Sequence, residues 1–361
     1  MAATNDSLLA DLVFEGGGVK GIGLAGAYRE LSDSGYQPGC VAGTSAGAIM
    51  AALVAAGYTG AELEDIVLHE MNFAKFEDGT FLDKFGAIGD IAQFFKSRGM
   101  HSGKYFRGWI RDLLAAKGKT KFGDLRNPDD AGDPKRAYKL QVIASDLSAR
   151  SMLVLPQDAG QLGCSPDDLE IAQAIRMSMS IPVFFEPVSM NKHEIVDGGL
   201  LSNFPVWLFD TAPGAEPRFP TFGLLLVAPG QTAPLMPTPP GAAVKPIGSD
   251  IDFLKAIAET MMEAHDRFYV EQANYARTIP IPTMGVGTTE FDITGARAAA
   301  LFQSGRDAAK AFLATWDFEA YKARFRQGVG ETRRESVSGP GGAGAASVRP
   351  PAPAPAPAPG R

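Results

Sequence analysis

One stretch limits what this chain can fold into more than any other. Residues 11–50 read as an apolar strand, a run of glycines, an apolar helix, a second strand, and a serine between two glycines. Gly43-Thr-Ser-Ala-Gly47 fits G-x-S-x-G, the sharp turn that lifts a nucleophilic serine from the end of a strand onto the start of a helix. Residues 46–56 are small or apolar almost without exception and stop at Gly57. A helix that is apolar all round is a buried helix, so core packing anchors the turn that carries Ser45. Strand and helix alternating this quickly imply parallel strands joined by crossovers.

The glycine run Gly16-Gly-Gly-Val-Lys-Gly21 also fits G-x-G-x-x-G. A dinucleotide site would need an acidic residue about 20 positions on, and residues 40–42 hold none. A phosphate-binding P-loop would need Lys-Ser or Lys-Thr, and Lys20 is followed by Gly21. What remains is an oxyanion hole: glycines without side chains let successive N–H groups of Gly16, Gly17 and Gly18 aim at one point, and the next helix adds its positive end. Lys20 either supports this loop or is simply solvated.

A nucleophilic serine needs a base. The four histidines are His69, His101, His193 and His265, and none follows a late acid in the order Ser…Asp…His. A carboxylate can take the proton directly. Asp197 ends a short strand and is followed by Gly198-Gly199, which lets the backbone turn closely there. At the carboxyl end of a parallel strand it would open into the crevice of Ser45. Taken alone, Asp197 reads better as a turn aspartate capping the glycine bend, a common role.

Further elements follow from pattern. Strands are expected at 140–144 and 152–155, forming a hairpin, at 194–196 and at 221–228, and an extended stretch at 279–286. Helices are expected at 168–179, 251–276 and 294–316. A catalytic domain over 8–320 would carry a Phe-rich helical insertion at about 70–116, either packed on the core or serving as a lid that touches lipid. The Gly/Ala/Pro-rich tail at 335–361 cannot bury apolar surface and is expected to be disordered.

Composition removes other functions. The net charge of −7 and a pI near 5.3 argue against a general nucleic-acid binder. Cys40 and Cys164 make no metal-type spacing and read as free thiols. No metal-ligand cluster is visible, and chemistry without metal or cofactor is expected. The start has no signal-peptide pattern, and no apolar run approaches the roughly 18 residues that span a bilayer. A cytoplasmic protein is expected, with secretion lacking a cleaved signal also compatible.

Together these residues resemble the patatin-like phospholipase family. The resemblance rests on Glu15-Gly-Gly-Gly-Val-Lys-Gly21, Gly43-Thr-Ser-Ala-Gly47 and Asp197-Gly-Gly199, in that order, with Ala144-Ser-Asp-Leu147, Ser178-Met-Ser-Ile-Pro-Val-Phe184 and Thr288-Thr-Glu-Phe-Asp292 between and after them. It covers roughly residues 12–316. It implies a three-layer α/β/α domain with a mostly parallel central sheet, and hydrolysis of fatty-acyl esters of phospholipids, lysophospholipids or neutral lipids. By motif, Ser45 is the nucleophile and Asp197 the base. Gly17 and Gly18, with Gly16 close by, form the oxyanion hole, and Gly43 and Gly47 frame the elbow. Lys20 and Gly198 are supporting residues. A phospholipid substrate and peripheral membrane contact are implied, while oligomeric state stays open and a homodimer is compatible. An esterase, thioesterase or acyltransferase on the same fold, and a lipid-binding module without turnover, are the other readings.

Overall fold

The computed structural model describes residues 8–71, 99–130, 132–212, 215–228, 272–288 and 290–326, with isolated positions between 253 and 260. Residues 72–98 of the Phe-rich insertion expected at about 70–116, most of the helix expected at 251–276 and the tail beyond 326 lie outside the described residues.

An eight-stranded mixed sheet forms the centre. Its strands are β1 (Leu9–Phe14), β2 (Gln37–Thr44), β4 (Leu140–Asp146), β5 (Ser151–Leu155), β7 (Val188–Met190), β8 (His193–Asp197), β9 (Thr221–Val227) and β10 (Thr278–Pro282), while the short β3 (Gly99–His101) and β6 (Val183–Phe185) pair separately. The order is β10-β9-β1-β2-β4-β8-β7, with β5 paired to β4. From β10 to β4 all pairs are parallel, and β5, β7 and β8 run antiparallel to their neighbours.

β1 and β4 are apolar runs rather than alternating ones because both faces of the sheet are covered. Leu12, Phe14, Val142 and Leu224 face one core, which is roofed by α1 (Ile22–Asp33), α2 (Ala46–Ala55), α5 (Ile171–Ser178) and α6 (Gly295–Leu313). Between them in sequence come α3 (Gly60–Asp65) and α4 (Lys104–Ala116), the latter burying Phe106, Ile110 and Leu114. Val13, Ile143 and Leu225 face the other way, against Phe204, Val206, Trp207 and Phe209. The layering is the three-layer α/β/α class expected. α7 (Phe318–Phe325) closes the described chain. Among the described residues no helix is long and apolar enough to cross a membrane.

The expected elements that fall on described residues recur with ends shifted by a few residues, including the β4–β5 hairpin. One expectation fails. β8 is antiparallel to β4, with Ala144 opposite Asp197 and Asp146 opposite Ile195. Asp197 therefore does not sit at the carboxyl end of a parallel strand. Its strand enters from that edge of the sheet and runs inward, ending level with the middle of β4. The two-residue turn Asn191-Lys192 then makes β7 antiparallel to β8 in turn, at the edge of the sheet.

Candidate active site

The elbow is built by local sterics. Thr44, the last residue of β2, pairs with Ile143 of β4. Ser45 follows with φ 53° and ψ −127°, and α2 starts at Ala46. Positive φ is rare for a side-chain-bearing residue, costs of order 1–3 kcal/mol, and persists only where the surroundings enforce it. Here they do. A Cβ on Gly43 would collide with the carbonyl of Gly47, and one on Gly47 with the carbonyls of Phe14 and Glu15. Both positions must be glycine for β1, β2 and α2 to meet this closely. Gly47→Ala should therefore lower stability by about 1–3 kcal/mol or more through displaced backbone, read as a drop in the denaturation midpoint. An unchanged midpoint would mean that the elbow relaxes freely.

The register brings Ser45 and Asp197 together. Ser45 follows the residue beside Ile143 on one side of β4, and Asp197 pairs with Ala144 on the other. Both residues are fully buried. The end of α5 and the residues after it bond to both. The Ser45 N–H donates to Ser178 Oγ at 2.9 Å, and that hydroxyl donates to the Ile143 carbonyl at 2.6 Å. The Asp197 N–H donates to the Ser180 carbonyl at 2.9 Å. Thr44 Oγ1 donates to the Ser202 carbonyl at 3.0 Å, tying the elbow to the loop after Asp197.

The Asp197 carboxylate accepts the Gly199 N–H at Oδ1, 2.8 Å away, while Oδ2 has no hydrogen-bond partner. Burial pushes the Asp197 carboxyl up to about 7; the Gly199 N–H and the Ser45 hydroxyl pull it back only partly. The Ser45 hydroxyl thus acts on Asp197, but its directed hydrogen bond goes to Met179 Sδ at 3.5 Å. Among the described residues no histidine bonds Ser45. His69 pairs with Asp65 at 2.9 Å and His193 with Asp146 at 2.5 Å.

The glycine loop needs one correction. The Gly16 N–H donates to the Asn203 carbonyl at 3.0 Å, so it is not a free donor. The N–H groups of Gly17 and Gly18 carry no such bond among the described residues. Gly18 adopts φ +55° and opens a short 3-10 turn to Gly21 that runs into α1. Two buried residues hold the loop. Glu15 Oε2 accepts the Leu226 N–H at 2.5 Å, and Asn203 Nδ2 donates to Glu15 Oε1 at 3.3 Å and to the Gly16 carbonyl at 3.0 Å. Lys20 is half-buried with its stem beside Gly17 and forms no ion pair among the described residues. Gly198 packs against the Ile143 carbonyl, where a Cβ would clash. It allows the chain to turn beneath β4.

A narrow pocket adjoins the loop and the elbow, lined by Gly18, Ala46, Met50, Met71, Met179 and Phe291 among others, and its lining is almost wholly apolar. Ser178, Met179, Asn203 and Glu15 were not expected as site residues. Ser178 and Met179 lie where Ser-Ile-Pro breaks the helix, a signal that something follows α5, though not what it contacts. Among the described residues no cluster of three or more His, Cys, Asp or Glu is arranged to hold a metal ion.

Comparison with known proteins gives concordant results. A family model described as patatin-like phospholipase matches residues 12–210. An uncharacterised protein of Bacillus subtilis (strain 168), YqhO, is 36% identical over 85% of this chain and 99% of its own length. The probable lipid hydrolase 463L of invertebrate iridescent virus 6 is 25% identical over 54% of this chain and 61% of its own. Among solved structures, the ExoU–SpcU complex from the type III secretion system of Pseudomonas aeruginosa aligns with a TM-score of 0.48 at 17% identity, covering 85% of this chain and 52% of the matched one.

Proposed function

The chain belongs to the patatin-like phospholipase family, and from that premise we propose that it is a lipid acyl hydrolase whose nucleophile is Ser45 and whose general base is Asp197. The observation that carries this reading is the buried carboxylate oxygen Asp197 Oδ2, unpartnered beside a serine held in an elbow. An unpartnered buried acceptor costs stability, and here the Ser45 hydroxyl is close enough to act on the same carboxyl.

In this mechanism the Ser45 hydroxyl turns from Met179 to Asp197 and gives up its proton as Oγ attacks the ester carbonyl. The oxyanion that forms is met by the N–H groups of Gly17 and Gly18, each worth about 3–4 kcal/mol when well aimed. The proton then passes from Asp197 to the departing alcohol. The acyl chain of the resulting acyl-enzyme extends into the apolar pocket. Asp197 next takes a proton from water, whose oxygen attacks the acyl carbon and frees the fatty acid. The pocket's apolar lining favours long acyl chains of (lyso)phospholipids over small soluble esters. Mass spectrometry of products from a mixed lipid extract tests this. Wild type should release free fatty acids and lysolipids that the Ser45→Ala protein does not, and cleavage of short water-soluble esters alone would favour the esterase reading.

The pH dependence is a second test. Asp197 must be ionised to act as base, and its carboxyl titrates at about 7. The value of kcat/KM should rise with pH on a one-proton limb and level off above about pH 7. A flat profile between about pH 5 and 9 would remove Asp197 from this role. Stability runs the other way. The folded-state value lies above the ~3.9 of an unfolded aspartate, so the native state holds the extra proton between about pH 4 and 7, and this group's contribution falls as pH rises through that window.

A further inference from the structure

The Ser45 hydroxyl has one proton and two acceptors, the Asp197 carboxylate and the Met179 thioether, and its directed bond is to Met179 Sδ at 3.5 Å. Met179 is 7% exposed, and it lines the apolar pocket together with Met50 and Met71. Met179 thus touches the serine through its sulfur and forms part of the wall of the adjoining cavity. We propose that Met179 is a positioning residue for the nucleophile and an oxidation site, whose conversion to the sulfoxide by a peroxide switches Ser45 off. The inference rests on Ser45 being the nucleophile.

The chemistry is a two-electron oxygen transfer. A sulfur lone pair attacks one peroxide oxygen, the O–O bond breaks and an S–O bond forms. Hydrogen peroxide leaves as water, and the thioether becomes a sulfoxide. A thioether is a weak acceptor, which releases the serine proton readily to Asp197. A sulfoxide oxygen is a strong dipolar acceptor. Beside Ser45 Oγ it would keep the hydroxyl bonded away from Asp197 and make the pocket wall polar where an acyl chain must lie. Methionine sulfoxide reductases undo this lesion, so the switch is reversible. Met179 also bears on the base. When Asp197 is protonated, its own O–H can donate to Ser45 Oγ while the serine proton goes to Met179, so the thioether supports the inactive protonation state. The contributors to the Asp197 shift are burial, the Gly199 N–H and the Ser45 hydroxyl, and no charged side chain is among them.

The experiment treats full-length wild type and Met179→Leu with hydrogen peroxide, quenches with catalase, and measures the rate at which a fluorophosphonate labels Ser45. Tandem mass spectrometry of the tryptic peptide Met177–Lys192, which holds Met177, Met179 and Met190, locates the added oxygen. Wild-type labelling should fall by about ten-fold or more, the scale of one lost hydrogen bond to a charged group, in step with sulfoxide at Met179, and should return with the two reductases. Met179→Leu, compared with its own untreated rate, should resist peroxide. Its acid limb in a pH–labelling profile should move to lower pH, a change that a merely space-filling Met179 would not cause. Sulfoxide at Met179 in folded wild type with unchanged labelling would overturn the proposal, as would equal peroxide sensitivity in Met179→Leu or an unmoved limb. Failure of untreated wild type to label at all would instead overturn the assignment of Ser45, and this inference with it.

Discussion

Ser45→Ala should lower lipid ester hydrolysis by roughly 10⁴- to 10⁶-fold, the scale seen when a nucleophile that acts as one unit with its base is removed. Asp197→Asn should cost about 10⁴-fold or more, because in the proposed mechanism the carboxylate takes the proton itself instead of orienting a histidine. The two losses should not add, since either change disables the same proton transfer. Both variants should keep the fold. Ser45→Ala removes one hydroxyl whose partner is a thioether, and Asp197→Asn keeps an oxygen to accept the Gly199 N–H. The Asp197→Asn change also spares the native state a buried carboxylate, so the variant's denaturation midpoint at pH 8 should not fall. The check is single-turnover kinetics beside circular dichroism. A folded Asp197→Asn protein with wild-type turnover would end the two-residue mechanism, and an active Ser45→Ala protein would move the nucleophile elsewhere.

Asp210→Ala should destabilise the protein by about 3–5 kcal/mol, the cost of leaving a buried charge unpaired. Asp210 accepts Arg277 through both oxygens, at 2.6 and 3.0 Å, and Arg326 at 2.6 Å. Arg277 is 1% exposed. The cluster joins the end of the segment that covers the second sheet face, the entry to β10 and the end of α7. Burial alone would raise the Asp210 carboxyl, but the charges and hydrogen bonds of Arg277 and Arg326 outweigh it and hold it below its usual value. Its contribution is thus present above the unfolded pKa and is lost as pH falls through the folded one. Urea denaturation at neutral pH measures the effect. Asp210→Leu combined with Arg277→Met and Arg326→Met should recover most of the loss, because no charge is then left behind. A loss below about 1 kcal/mol in Asp210→Ala would show a cluster screened like a surface pair.

Much of the site is legible in the chain because its rules are local. Gly43 and Gly47 are glycine because neighbouring carbonyls occupy the space of a Cβ, and G-x-S-x-G records that directly. The apolar runs of β1, β4 and β9 record coverage on both faces. The absence of a suitably ordered histidine pointed to a carboxylate. What was not legible depends on distant partners. Gly16, Gly17 and Gly18 are alike in sequence, yet Gly16 donates to the Asn203 carbonyl and the other two have no backbone acceptor among the described residues. Glu15 opens the glycine motif without an evident role of its own until Asn203 and Leu226 close on it. Ser178 and Met179 look like the end of an amphipathic helix, and only packing turns them toward Ser45.

By itself, then, the sequence determined the α/β class, the elbow and the glycine cradle, since period, glycine sterics and strand–helix order act over a few residues. Only the tertiary structure decided how the carboxylate arrives. Asp197 comes in on an antiparallel strand whose register against β4 sets it level with Ser45, and strand direction and register depend on pairing between segments far apart in the chain. The same closure removes water from Asp197 and raises its carboxyl to about 7. Burial is a property of the assembled layers, so no reading of Asp197-Gly-Gly199 alone could contain it.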